Sequence, residues 1–140
     1  MRRRAREAAF QVLFQMDVGK LSLEDALTSV AAPDWLPDDW AWVETLCRGT
    51  RARLAEIDPV LAQCAERWTL ERMAAVDRNI LRMAIFELRY TDTPVRVAIN
   101  EAVELAKRFS TEESGRFVNG LLGNIVRSTT PPLVGHAADV

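Results

Sequence analysis

The chain has 140 residues, with 18 lysines and arginines against 20 aspartates and glutamates, a formal net charge of −2 and a single histidine. That length suits one domain burying roughly 68% of the surface its unfolded form exposes, so no disulfide framework is needed. The lone His136, in a Pro/Gly/Ala-rich tail, excludes a His-based triad, a His-paired thiol and a histidine metal cluster, and no apolar run approaches the ~20 residues of a membrane span.

Apolar residues recur at spacings of three and four rather than two, with glycine and proline between those stretches, so an all-α fold is expected. The first helix covers residues 3–18 and stops at Gly19. Ser22 with Asp25 resembles a capping box for a short helix through residue 31. Residues 33–39 read as a loop whose final Asp39 caps a third helix over 40–57. Asp58 and Pro59 then open a fourth over 60–67, since proline's missing N–H would be unpaired at a helix start anyway.

Thr69 opens a short turn, and residues 76–90 form the central helix. Val76, Ile80, Leu81, Met83, Ile85, Phe86 and Leu88 cover most of its circumference and leave a narrow stripe of Arg78, Arg82 and Arg89 for solvent. Residues 97–109 are amphipathic, with Glu104 and Arg108 spaced as a helix-supporting pair. Ser110 and Glu113 make a further capping box for a last helix over 114–126, whose core face is Val118, Leu121, Leu122 and Ile125. The expected architecture is a single domain, 1–127, of about seven helices in two packed sub-bundles, 1–67 and 68–127, followed by a disordered tail, 128–140.

Cys47 and Cys64 have neither CxxC spacing nor histidine company and read as small buried apolar residues of a reducing cytoplasmic compartment. Trp35, Trp40, Trp42 and Trp68 read as seam and core packing. The N-terminus carries its charge into an amphipathic pattern rather than a signal-peptide apolar core.

The sharpest asymmetry is Arg2, Arg3, Arg4 and Arg6 at one end of a net-negative chain, which points to a small anion-binding surface with RNA as first candidate. On the first helix Ala5, Ala9, Val12, Leu13 and Met16 form one face. Phe14 and Arg3 share a side away from it, and Arg6 lies toward Phe10. A ring beside guanidinium groups suits unpaired bases that stack while phosphates are neutralised. The alternative is that Phe10 and Phe14 widen the buried face while the arginines are simply solvated. Phe117 sits off the core face of the last helix, on the side of Gly120 and Asn124, and Gly120 there allows close approach of a helix or a ligand. Asp77 and Glu87 point into the apolar sector of the central helix. Glu87 calls for internal pairing; Asp77 fits either that or a basic partner protein.

Four segments, RRRAREAAFQVLFQMD at 2–17, LERMAAVDRNILRMAIFEL at 70–88, VAINEAVELAKRFS at 97–110 and RFVNGLLGNIVR at 116–127, together resemble the NusB family of bacterial transcription antitermination factors. The resemblance leaves out the tryptophan-rich stretch 33–42 and the tail. It implies two small helical bundles, no catalytic activity, no cofactor and no small-molecule substrate. The implied role is an adaptor that binds the single-stranded boxA element of nascent RNA with NusE, also a small-subunit ribosomal protein, and helps RNA polymerase pass terminators, notably in ribosomal RNA operons. Matched by position, Arg2, Arg3, Arg4 and Arg6 correspond to the basic N-terminal RNA contact, and Phe14 to a position often tyrosine. Phe117 corresponds to an aromatic at the RNA surface, Glu113 to a nearby acidic position and Asp77 to an acidic position that meets basic residues of NusE. Two other readings are an RNA-binding module working with a ribosomal RNA methyltransferase, and a helical scaffold that binds only protein.

Overall fold

A computed structural model describes residues 2–65 and 69–128, and among them there are seven α-helices and no strand. They are α1 (Arg2–Asp17), α2 (Leu23–Val30), α3 (Pro37–Ala52), α4 (Leu54–Cys64), α5 (Ala75–Tyr90), α6 (Val95–Phe109) and α7 (Glu112–Ser128). None is long and apolar enough to cross a membrane. Trp68, His136, the expected boundary between sub-bundles and residues 129–140 lie outside the described residues. Ser128, expected in the tail, closes α7.

α5 is the axis of the molecule. It packs against α1, α3, α4, α6 and α7, which explains why ten of its sixteen residues are buried, among them Ile80, Leu81, Ile85 and Leu88. α1 lies antiparallel to it, because Arg6 near the start of α1 meets Glu87 near the end of α5, while Asp17 at the end of α1 meets Arg78 and Asn79 near the start of α5. The expected solvent stripe on α5 is therefore corrected. Arg78 and Arg82 are only 14% and 15% exposed, since Arg78 donates to Asp17 at 2.8 Å and Arg82 forks onto Asp58 at 2.9 and 3.0 Å. Burial alone would raise the Asp17 carboxyl, but hydrogen bonds from Asn79 and Arg78 and the charges of Arg78 and Arg82 hold it below its usual range.

Ser22 caps α2 as its spacing predicts, accepting from the Asp25 N–H at 3.1 Å. The next boundaries differ. α3 starts at Pro37 rather than behind Asp39, with proline in the first turn where its missing N–H costs nothing. It ends at Ala52, and α4 begins at Leu54, with Pro59 inside it rather than at its head. The break comes at Arg53, whose N–H is shared among the last α3 carbonyls and whose φ of −108° and ψ of 12° leave the helical region. Asp58 is no cap, because its carboxylate is held by Arg82.

α7 is capped by Thr111, one residue beyond the expected Ser110. Thr111 Oγ1 accepts from the Ser114 N–H at 3.0 Å. Glu104 and Arg108 do not pair with each other; Glu104 takes Lys107 and Arg108 reaches across to Glu7 at 3.1 Å. Gly49 allows α3 and α5 to meet, since a Cβ there would lie 2.1 Å from the Phe86 ring. Gly120, expected to admit a neighbour, has nothing within 4 Å of where its Cβ would stand. Burial pushes the Cys47 thiol up to about 12, as suits an inert core residue, whereas Cys64, expected inside, is only half-buried at the end of α4.

Candidate nucleic-acid interface

α1 is buried over a wider face than its apolar residues suggest because α2, α3 and α5 all pack on it, and Ala5, Arg6, Ala8, Ala9, Phe10, Val12 and Leu13 all lie inside. This corrects two expectations. Phe10, 3% exposed, belongs to the core and stacks against Phe109 with centroids 5.1 Å apart. Arg6, expected at the surface, is 5% exposed and forks onto the equally buried Glu87, its Nε donating to Oε1 at 3.0 Å and its Nη2 to Oε2. Glu87 sits among apolar residues of α5 and needed a cation; α1 supplies it.

Arg2, Arg3 and Arg4 reach the surface, each held differently. Arg2 lies with its guanidinium carbon 4.0 Å from the centre of the Trp42 ring. Arg3 donates from Nε and Nη2 to Glu101 at 3.1 and 2.8 Å, which raises the Arg3 pKa and, against a smaller burial effect, lowers that of Glu101. Arg4 stacks 3.9 Å over Trp35 and donates to Asp34 at 3.1 Å. That hydrogen bond, with the adjacent positive charge, holds the Asp34 carboxyl below its usual range. Trp35, Trp40 and Trp42 are half-buried and pack on the core, as expected, but the two that carry arginines also shape the surface.

The other expected residues gather beyond the C-terminal end of α6. Phe117, half-buried, lines a cleft of about 380 Å³ with Asp77, Glu113, Ser114, Thr111 and Arg72. Asp77 is 8% exposed, and its Oδ1 has no hydrogen-bond partner among the described residues. Burial pushes its carboxyl above the usual range, with a hydrogen bond from Ser114 pulling it partway back. Glu113 stands exposed at the rim. A second depression, lined by Arg3, Glu7, Glu101, Lys107, Arg108 and Glu112, runs along α1 and α6. Thr111 and Glu113 line the first depression and Glu112 the second, so both depressions reach the start of α7.

Phe14, half-buried, lies 6.0 Å from Phe10 in a ring series that continues to Phe109 at the end of α6. The expected residues thus fall into an Arg2–Arg4 group on the tryptophans, Arg3 in the α1–α6 groove, and Phe117, Glu113 and Asp77 in the α5–α7 cleft. Sequence reasoning missed Trp35, Trp42 and Asp34. Their signal was the charge and ring content of residues 33–42, read only as packing and loop.

Seven helices, five of them packed on the central α5, with open grooves lined by guanidinium, carboxylate and ring groups, define a small all-helical protein. The sequence model of the NusB family matches residues 3–127, and the chain belongs to that family. It is 48% identical over 136 residues to the transcription antitermination protein NusB of Symbiobacterium thermophilum, covering 90% of this chain and 89% of that one. The protein of the same description from Desulforudis audaxviator is 46% identical over 127 residues, covering 89% and 92%. Among solved structures, NusB of T. maritima superposes with a TM-score of 0.87 at 38% identity over 94% of both chains. A chain from the crystal structure of antitermination factors NusB and NusE in complex with dsRNA gives 0.79 at 26% identity, covering 92% of this chain and 99% of that one.

Proposed function

We propose that this protein is a non-catalytic transcription antitermination factor that binds the boxA element of nascent RNA together with NusE and helps RNA polymerase read through terminators. Relatives described as transcription antitermination protein NusB, and a similar chain solved with NusE and RNA, support this reading. The observation that carries it is that an Arg3-lined groove and a Phe117-lined cleft both reach the start of α7, Glu112 lining the one and Thr111 and Glu113 the other.

In this reading Arg2, Arg3 and Arg4 meet phosphates, Phe14 and Phe117 stack on unpaired bases, and Glu113 accepts from base amino groups. Asp77, which lines the cleft and whose Oδ1 has no hydrogen-bond partner among the described residues, takes a basic side chain of NusE. Arg6 has no RNA contact; it holds α1 to α5.

A titration of boxA single strand, a scrambled strand and a boxA duplex, each with and without NusE, tests this. The expected order is boxA strand first, with NusE tightening it. Equal binding of all three RNAs, or tighter binding of the duplex, would replace base stacking by backbone recognition. No binding even with NusE present would remove RNA from the account.

A further inference from the structure

The tryptophan-bearing stretch that runs from the α2–α3 connection into the first turns of α3 carries more ordered chemistry than packing requires. Trp35 donates its ring N–H to the Val30 carbonyl at 3.0 Å, which fixes the plane on which Arg4 lies, and Trp40 leans on it with centroids 5.7 Å apart. Trp42 holds Arg2 in the same way, while its own ring N–H is buried without a partner among the described residues, an arrangement that folding alone does not favour. Both arginines are exposed. A planar guanidinium laid on an indole has one face covered and one face open, with edge N–H groups still available.

We propose that Trp35 with Arg4, and Trp42 with Arg2, form a second stacking surface that binds unpaired bases of the same RNA strand, outside the segment held near Phe117. Bases stack on guanidinium planes as they do on rings, and an arginine already ordered by an indole loses little freedom when a base lands on it. The occupant is a base rather than an acidic peptide, because a carboxylate binds a guanidinium at its edge, where Asp34 already holds Arg4, whereas the open face suits a flat ring. Trp35 and Trp42 are positioning residues here; the guanidinium faces touch the RNA. The inference rests on the reading that the chain binds RNA.

The test uses a boxA strand extended by four nucleotides at each end and the same strand with abasic sugars in those extensions, so the phosphate count is constant. Wild type is expected to bind the complete strand about tenfold more tightly, the order of one lost stack. Trp35→Leu and Trp42→Leu shrink that ratio, Trp35→Phe and Trp42→Phe retain part of it, and the salt dependence is the same for all. Arg2→Gln and Arg4→Gln, which alter exposed side chains only, abolish the ratio even if a leucine variant fails to fold. A wild-type ratio near one, with tight binding of both strands, overturns the second surface and leaves the proposed function standing. A ratio that survives the tryptophan and arginine variants also overturns it. Binding of neither strand overturns both.

Discussion

Arg6 and Glu87 lie 81 positions apart in the chain and meet as a two-point ion pair inside the protein, 5% and 2% exposed. Glu101 is the nearest other anion, 4.0 Å from Arg6. Removing the cation strands Glu87 in the core, so Arg6→Met should cost about 3–5 kcal/mol of folding stability. Glu87→Gln should cost less, because Glu101 still faces Arg6. Urea unfolding midpoints of the two variants check the order.

Two glycines predict opposite signs. A Cβ at Gly49 would stand 2.1 to 2.8 Å from the buried Phe86 ring, so Gly49→Ala should force α3 from α5 and cost about 1–3 kcal/mol. Gly120 is exposed inside α7 with open space around it, so Gly120→Ala should stabilise by roughly 0.5–1 kcal/mol. Thermal melting of both decides; destabilisation by the second would mean an approach the structure does not contain.

Asp77 makes stability depend on pH. Folding raises the affinity of this carboxyl for a proton, so the native state is penalised most where Asp77 is ionised, above its raised pKa. The penalty fades as pH falls through that value toward the ordinary 3.8. Asp77→Asn should therefore stabilise at neutral pH, with the advantage shrinking on acidification. It should also weaken NusE binding. Denaturation across a pH series and a pull-down with NusE measure the two effects.

Phe117 packs partly against the core yet lines the open cleft. Phe117→Ala should weaken boxA binding by about 1–3 kcal/mol, the scale of one base stack. Phe117→Tyr should retain most of the affinity. Equilibrium titration with circular dichroism as a folding control separates lost stacking from lost structure.

The helical periods were legible because α5, α6 and α7 bury the residues their wheels select, including Val118, Leu121, Leu122 and Ile125. Boundaries followed local chemistry less closely. Asp58 and Pro59 have the residue types of a helix start, but Arg82 claims the aspartate and the break falls earlier, at Arg53. Ser110 and Thr111 carry the same capping hydroxyl, and only the backbone decides which is used. At the site, the sequence reading set Phe117 and Glu113 toward RNA and Asp77 toward a protein partner without joining them in the one cleft they line; the off-core position of Phe117 was legible from its wheel. Arg6 was not, because its fate depends on a partner in another helix and on three helices crowding α1. The indole rings under Arg2 and Arg4 were invisible for the same reason: stacking across separate elements leaves no local spacing.

The most direct test is the salt dependence of boxA binding. With Arg6 taken inside, three arginines remain to neutralise phosphates, and at ~0.7 per contact on a single strand the log–log slope should be about −2. Arg2→Gln, Arg3→Gln and Arg4→Gln should each reduce its magnitude by about 0.7. A slope near zero in wild type, or one unchanged when all three arginines are replaced, would contradict the placement of the RNA on this surface.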